Sequence, residues 1–322
     1  MSRINKILLG LLAAQVALGA LTWTSLASKP APAGGTDPVF GFEAKKVVSL
    51  QIKAKPRAGN QKQEETVLLA RTDDGWVVAD RDDFPADKDK VEKVLDQLME
   101  LKIGNALASN PANHNALKVG KRDYDREVTV KTGKEARTII LGSGPASSVN
   151  LRYQGKNEVY RARGMSVWTI NNNVRSYVNT KYVETDKEKL SQVVVSNPKG
   201  RLSFAREGDK WVLAELPEGE TPDDGKIKAF INKVATLNLE EPVGKEIKPG
   251  HGLTGGAEVF LVSGEEEGAV TRRYVIGDKQ DEQSYYAKSD DNDWVVAVSK
   301  WSSEDIRNKG PADFVKKVEE KE

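Results

Sequence analysis

The chain repeats itself at a spacing of 135–136 residues, and that spacing restricts its possible folds more than any other feature. Gly75-Trp76-Val77-Val78-Ala79 returns as Lys210-Trp211-Val212-Leu213-Ala214, 135 positions later. Val91, Val94, Leu95, Leu98 and Leu101 return as Ile227, Phe230, Ile231, Val234 and Leu237, each displaced by 136. Both sets follow the i, i+3, i+4, i+7 spacing of one helix face. Leu117 and Leu253 continue the series, and Leu141-Gly142 matches Ile276-Gly277. A duplicated structural unit accounts for this order; two unrelated modules sharing only amphipathicity do not.

Each copy reads as strands, one main helix, then hairpins. In the first copy strands are expected over 47–52, 66–71 and 76–79. A helix over 88–101 follows, N-capped by Asp87. Hairpins over 127–141 and 149–162 and a short helix over 167–177 complete it. The second copy runs through strands at 190–196, 201–206 and 211–214, with a helix over 225–237 capped by Asp223 or Asp224. Strands at 258–262, 271–276, 284–288 and 294–298 and a short helix over 303–309 end it. The expected class is α+β: two tandem units, each a mostly antiparallel sheet packed by one main amphipathic helix, behind an N-terminal transmembrane helix.

The N-terminal segment 1–27 carries Arg3 and Lys6 ahead of a mostly apolar run, with no acid before Asp37. Twenty residues of helix span about 30 Å, a bilayer's hydrocarbon thickness. Positive charge on the short N-terminal side predicts that this end stays in the cytoplasm. The segment therefore reads as a signal anchor that enters the membrane through residues 4–26. The alternative is a cleaved signal peptide, because Ser25-Leu26-Ala27 resembles a small-x-small cleavage site. Either way the bulk is expected outside the cytoplasm, in the periplasm. Residues 28–44 begin with a Pro/Ala/Gly-rich stretch and read as a linker. The units are expected over 45–182 and 183–315, and 316–322 is a charged tail.

Composition narrows the function. The chain has 49 Lys+Arg against 48 Asp+Glu, a formal charge of +1, which gives no basic field for general nucleic-acid binding. Without residues 1–27 the balance is 47 against 48, net −1. There is no cysteine, so disulfide scaffolds, thiolate nucleophiles and Cys-based zinc sites are excluded.

The two histidines, His114 and His251, lie near matching places in the copies, but neither has a ligand-spaced partner, and both read as loop residues. The run from Gly142 to Ser148 lacks the helix that a phosphate loop requires and reads as a hairpin turn. Gly255-Gly256 is equally weak as a phosphate site. Asp73-Asp74, Asp80 to Asp83 and Asp290 to Asp293 read as solvated turns; the last lacks the Gly and terminal Glu of a calcium loop. Trp76 and Trp211 are expected beneath their helices, with a sugar-stacking platform as the alternative. Tyr285, Tyr286 and Trp301 are candidates for a contact surface. No residue is assigned a catalytic, cofactor-binding or metal-binding role.

The order of these motifs resembles a known family. An apolar N-terminus precedes Trp-Val-Val-Ala or Trp-Val-Leu-Ala, an Asp-initiated helix, and a turn at Ala116-Leu117 or Gly252-Leu253. In this it resembles the bacterial family catalogued as domain of unknown function 4340, from about residue 47 to 315. The first copy departs from the pattern at Asn115-Ala116-Leu117, where an aromatic-Gly-Leu turn is more usual. The resemblance implies a membrane-anchored, extracytoplasmic accessory protein beside an ABC-type transporter, with a transporter permease as partner and no catalytic residues. Two alternatives belong to other classes. One is an exported envelope-glycan hydrolase using a carboxylate pair; the other is a solute-binding protein whose units close on a ligand.

Overall fold

The computed structural model describes residues 35–55, 65–264 and 268–316. The expected segment 1–27 lies outside the described residues, as do 28–34 of the linker and 317–322 of the tail. Two antiparallel sheets dominate. The first has eight strands in the order Val159–Arg163, Ser148–Tyr153, Ala136–Ser143, Arg126–Thr132, Val47–Ala54, Glu65–Thr72, Gly75–Val78 and Phe84–Pro85. The second has nine: Lys181–Glu184, Thr236–Gly244, Val295–Ser299, Ser284–Ser289, Val270–Lys279, Ala257–Ser263, Leu190–Asn197, Gly200–Glu207 and Lys210–Leu213. Seven consecutive strands follow the same chain order in both sheets, from Val159–Arg163 to Gly75–Val78 in the first and from Val295–Ser299 to Lys210–Leu213 in the second.

Two helices face the core with the residues expected of them. Helix α1, Lys88–Met99, buries Val91, Val94, Leu95 and Leu98. Helix α2, Asp224–Val234, buries Ile227, Phe230, Ile231 and Val234. Each is shorter than its apolar pattern. Leu101 follows the end of α1, and Leu237 belongs to the strand Thr236–Gly244. The third helix, α3 (Lys300–Asn308), is capped by Ser299, whose hydroxyl accepts the Ser302 N–H.

The α+β class expected behind a transmembrane helix is corrected. The described residues are 43% strand and 23% helical, with three α-helices, so the fold is mostly β. No helix among them is long and apolar enough to cross a membrane. Segments that read as connections add to the sheets. Thr236–Gly244 is a full strand despite Pro242, because register shifts between Leu239 and Glu241 and between Pro242 and Gly244 accommodate the proline. Lys181–Glu184 pairs with it, across the expected boundary between residues 182 and 183. The helix expected over 167–177 is two short 3-10 turns, Val167–Thr169 and Val174–Tyr177. The end of the expected linker is also structural: Asp37–Pro38 pairs with Lys102–Ile103, and Val39 and Phe40 are buried.

The N-terminus of each main helix is tied to the far end of its own half. The Asp87 N–H donates to the Tyr177 carbonyl (2.7 Å), its carboxylate accepts the Lys90 N–H (3.3 Å), and Lys90 Nζ donates to the Val178 carbonyl (2.7 Å). In the second half the Asp223 N–H donates to Phe314 (2.7 Å), its carboxylate accepts the Lys226 N–H (3.1 Å), and Lys226 Nζ reaches the Val315 carbonyl (2.9 Å). Accepting the Lys226 N–H also holds the Asp223 carboxyl below its usual range. Phe314 packs at 5.1 Å from Phe230 and 5.3 Å from Phe204, closing the second core.

The glycines at matching positions 142 and 277 have a steric cause. Each lies in a strand crossed closely by the turn that precedes the strand pair. A Cβ on Gly142 would stand 2.3 Å from the Leu117 carbonyl oxygen, and one on Gly277 2.0 Å from that of His251. Backbone cannot give way cheaply, so Gly277→Ala is expected to cost at least about 2–3 kcal/mol in chemical denaturation. Gly133→Ala, where nothing lies within 4 Å, is the control and should shift stability by less than about 1 kcal/mol.

Candidate functional site

Most motifs flagged in the sequence have structural partners. His114 is half-buried with Nε2 2.8 Å from the Asn157 carbonyl. His251 is buried in the other half, its ring 4.4 Å from that of Tyr286, and its Nδ1 accepts the Lys248 N–H at 3.2 Å. The two histidines are thus not brought together. Gly142 to Ser148 is a hairpin turn, with the Gly144 N–H donating to the Ser148 carbonyl. Gly255 ends a 3-10 turn, and Gly256 packs against the Ile276 backbone. Asp290 and Asp291 pair with Arg273 (3.2 Å) and Arg272 (2.5 Å) on a neighbouring strand. Among the described residues no group of three or more His, Asp or Glu could hold a metal ion.

Trp76 is buried beside α1, with the Arg71 guanidinium 4.8 Å from its ring centroid, while Trp211 is only half-buried. Tyr285 is buried and Tyr286 covers His251, so of the three aromatic residues considered for a contact surface Trp301 is the one that is largely exposed.

The residues with most to do lie where the two halves meet. After the 3-10 turn Ala79–Arg81, Asp82 and Asp83 both adopt left-handed backbone, with φ of 52° and 58°. Asp and Asn tolerate this region better than most residues because their short polar side chains bond locally. Here the bonds reach across the molecule. The Asp82 carboxylate accepts the Lys245 N–H at 2.7 Å, and its carbonyl accepts the Trp294 indole N–H at 3.0 Å. The Trp294 ring stands edge-on to Phe84 at 5.3 Å, and Lys245 Nζ lies 4.4 Å from its centroid. Tyr182 donates its hydroxyl to the Trp294 carbonyl at 2.6 Å and accepts the Ser289 N–H at 2.9 Å. Burial pushes that phenol well above its usual range, so it remains a donor. Gly244, at φ 150°, passes so close that a Cβ would meet the Asp82 carboxylate at 2.7 Å.

Beside this latch lies a cleft of about 700 Å³. Asp80 and Arg81 line one wall, Asn172 and Asn173 come from the connecting segment, and Glu240, Glu241, Asp281 and Gln283 line the other. Its carboxylates are all engaged. Asp80 pairs with Arg81 (3.1 Å), and Glu240 pairs with Arg175. Glu241 accepts from Gln280 Nε2 (3.2 Å), and Asp281 accepts from Ser284 Oγ (2.7 Å). Such a cleft offers oriented donors and acceptors for polar recognition. Sequence reasoning missed Trp294 and Asp82 as cross-molecule partners. The available signal was that Trp294 has no aromatic counterpart 136 positions earlier, where Glu158 stands.

The family model described as Domain of unknown function (DUF4340) matches residues 76–255, more than half of the chain, and the protein belongs to that family. The match begins at Trp76 and ends in the 3-10 turn Leu253–Gly255, so it takes in the whole first helix tie, both main helices, Asp82 and Lys245. Comparison with curated proteins finds no match, and neither does comparison with solved structures.

Two outcomes follow from this geometry. Trp294→Ala removes the ring contact and the indole bond together and should lower stability by about 2–3 kcal/mol in urea denaturation. Trp294→Phe, which keeps a ring, should cost about 1 kcal/mol. The second concerns pH. Burial, and then the nearby Lys248 charge, hold the His251 pKa below its ordinary 6.5. The unfolded chain therefore takes up a proton near pH 6.5 while the folded chain does so only lower. The associated stability is complete above pH 6.5 and is lost as pH falls through the folded pKa. His251→Gln should flatten that part of a stability–pH curve measured by thermal melting.

Proposed function

We propose that this chain is a non-enzymatic binding protein held at the outer face of the cytoplasmic membrane, and that its partner is the permease of an ABC-type transporter. The observation that carries the binding role is the junction cleft, whose acids are each engaged by a neighbour and whose amides and hydroxyls line a surface fixed by the Asp82–Trp294 latch. The apolar run within residues 4–26, with Arg3 and Lys6 ahead of it, supports the membrane location. Holding the folded part near one membrane raises its effective concentration beside an embedded partner, so weak polar contacts suffice for occupancy. The transporter itself rests on the resemblance of the motifs alone.

One observation favours a second reading. The cleft volume falls within the range of small-molecule sites, so a polar solute could occupy it in place of a protein loop.

The test uses the intact tagged chain in detergent-solubilised membranes. The expected result is stoichiometric recovery of an ABC-type permease, lost with the Asn172→Lys/Asn173→Lys variant. Recovery of no permease, or equal recovery with the variant, overturns the transporter reading. Protease added to spheroplasts should cut the chain without lysis; cutting only after lysis overturns the location.

A further inference from the structure

A second hollow, of about 460 Å³, lies between α2, α3 and the start of Thr236–Gly244. Its rim carries Trp301, which is 75% exposed. An indole this open is normally free to swing, but this one is held. Lys233 Nζ lies 3.6 Å from its ring centroid and is ion-paired with Asp305. Lys233 is itself fixed, with its side chain only 13% exposed. The ammonium thus covers one face of the ring and leaves the opposite face for stacking. The floor is the buried Phe230, and the walls carry the amides of Asn232 and Asn238. Among the described residues neither amide has a hydrogen-bond partner, and both are exposed.

The fold does not require a tryptophan here. The strand pairings Leu151–Tyr160 and Ala287–Val296 place the two halves in register at an offset of 136. At that offset Trp301 corresponds to Met165, which is 4% exposed. One half buries a methionine and the other presents a large flat ring beside unpartnered amides.

We propose that this hollow is a saccharide-binding site that stacks a neutral sugar ring on Trp301. A pyranose has an apolar face of C–H groups and an edge of hydroxyls. A fixed indole matches the face, and amides and a carboxylate match the edge because each can pair with adjacent hydroxyls. Other flat or apolar ligands fit less well. A nucleotide would bring phosphate next to Asp305, which already pairs with the lining ammonium groups of Lys233 and Lys309 and would compete for them. An acyl chain would leave the two amides desolvated and unpaired. The proposal uses residues outside the junction cleft, so its failure and that of the transporter reading are separate results.

The experiment is titration of the full chain in detergent with two soluble probes, the β-1,4-linked tetramers of N-acetylglucosamine and of glucose. Intrinsic fluorescence and calorimetry are the readouts. The expected result is saturable binding of at least one probe. Trp301→Ala should weaken it about tenfold or more, and Asn238→Ala a few-fold, with the melting temperature unchanged in both. The proposal is overturned if neither probe saturates by about 10 mM, a limit well above the 1 mM affinity of weak ligands. It is also overturned if binding survives Trp301→Ala, or if that variant loses a co-purifying protein while no sugar binds.

Discussion

The Asp-x-x-Lys tie at the start of each main helix is the contact on which the rest of this architecture depends. Helices of 12 and 11 residues are too short to persist alone in water, and their first N–H groups have no partner within the helix. Asp87 and Asp223 satisfy one such group each through the side chain. Their own N–H groups, and the ammonium groups of Lys90 and Lys226, instead take carbonyls from chain 88–91 residues further on. One capping site therefore fixes two things: where the helix begins and where the chain returns after five strands. The return also delivers Tyr177 and Phe314, both buried, to the base of the helix. A helix so held presents its apolar face to the edge of the sheet, and the sheet can carry most of the fold.

The first tie has a further consequence. Tyr177 and Val178, which hold α1, are followed within a few residues by the strand Lys181–Glu184, which belongs to the second sheet. The segment that closes one half is therefore the edge of the other. Rotation of the halves would have to break either the helix tie or the pairing of Lys181–Glu184 with Thr236–Gly244. The Asp82–Trp294 latch adds a second attachment from the opposite direction. The cleft lies between these two attachments, with Asn172 and Asn173 on the connecting segment and Glu240 on the strand it pairs with. Its polar groups are held by backbone geometry that the fold already requires, which limits the ordering cost of binding.

Periodicity made part of this legible. The helix positions Val91, Val94, Leu95 and Leu98, and their equivalents at 136, face the core because a 3.6-residue period admits one buried face. The hairpins at Arg126–Thr132/Ala136–Ser143 and Ala257–Ser263/Val270–Lys279 were readable from alternation. What escaped was what alternation cannot encode. Thr236–Gly244 contains two glutamates and a proline and is a strand only because its bulges and its neighbours Lys181–Glu184 and Val295–Ser299 make it one. Val39 and Phe40 follow a Pro/Gly-rich stretch, yet the Val39 N–H donates to the Leu101 carbonyl and its own carbonyl receives Arg137 and Tyr153. The class expectation erred on this account, since each such segment adds strand and none adds helix. The candidate site was less legible still. Asp82 and Trp294 are 212 residues apart, and no local pattern links them.

Duplication itself separates structural positions from those free to do something else. Gly142 and Gly277 are kept in both halves because a carbonyl crosses each at the same place. Asp87 and Asp223 are kept because each half must be closed. Many side chains that serve the unit's own folding, the apolar faces of the two main helices among them, have a counterpart at the repeat spacing. Trp294 and Trp301 do not, standing where the first half has Glu158 and Met165. One reaches across to the other half and the other stands in solvent over a lined hollow. Neither is needed to build a unit that the first half builds without it. A large aromatic ring adopted at a position the fold leaves optional is best explained by a contact made outside the unit: in Trp294 with the other half, in Trp301 with something beyond the chain.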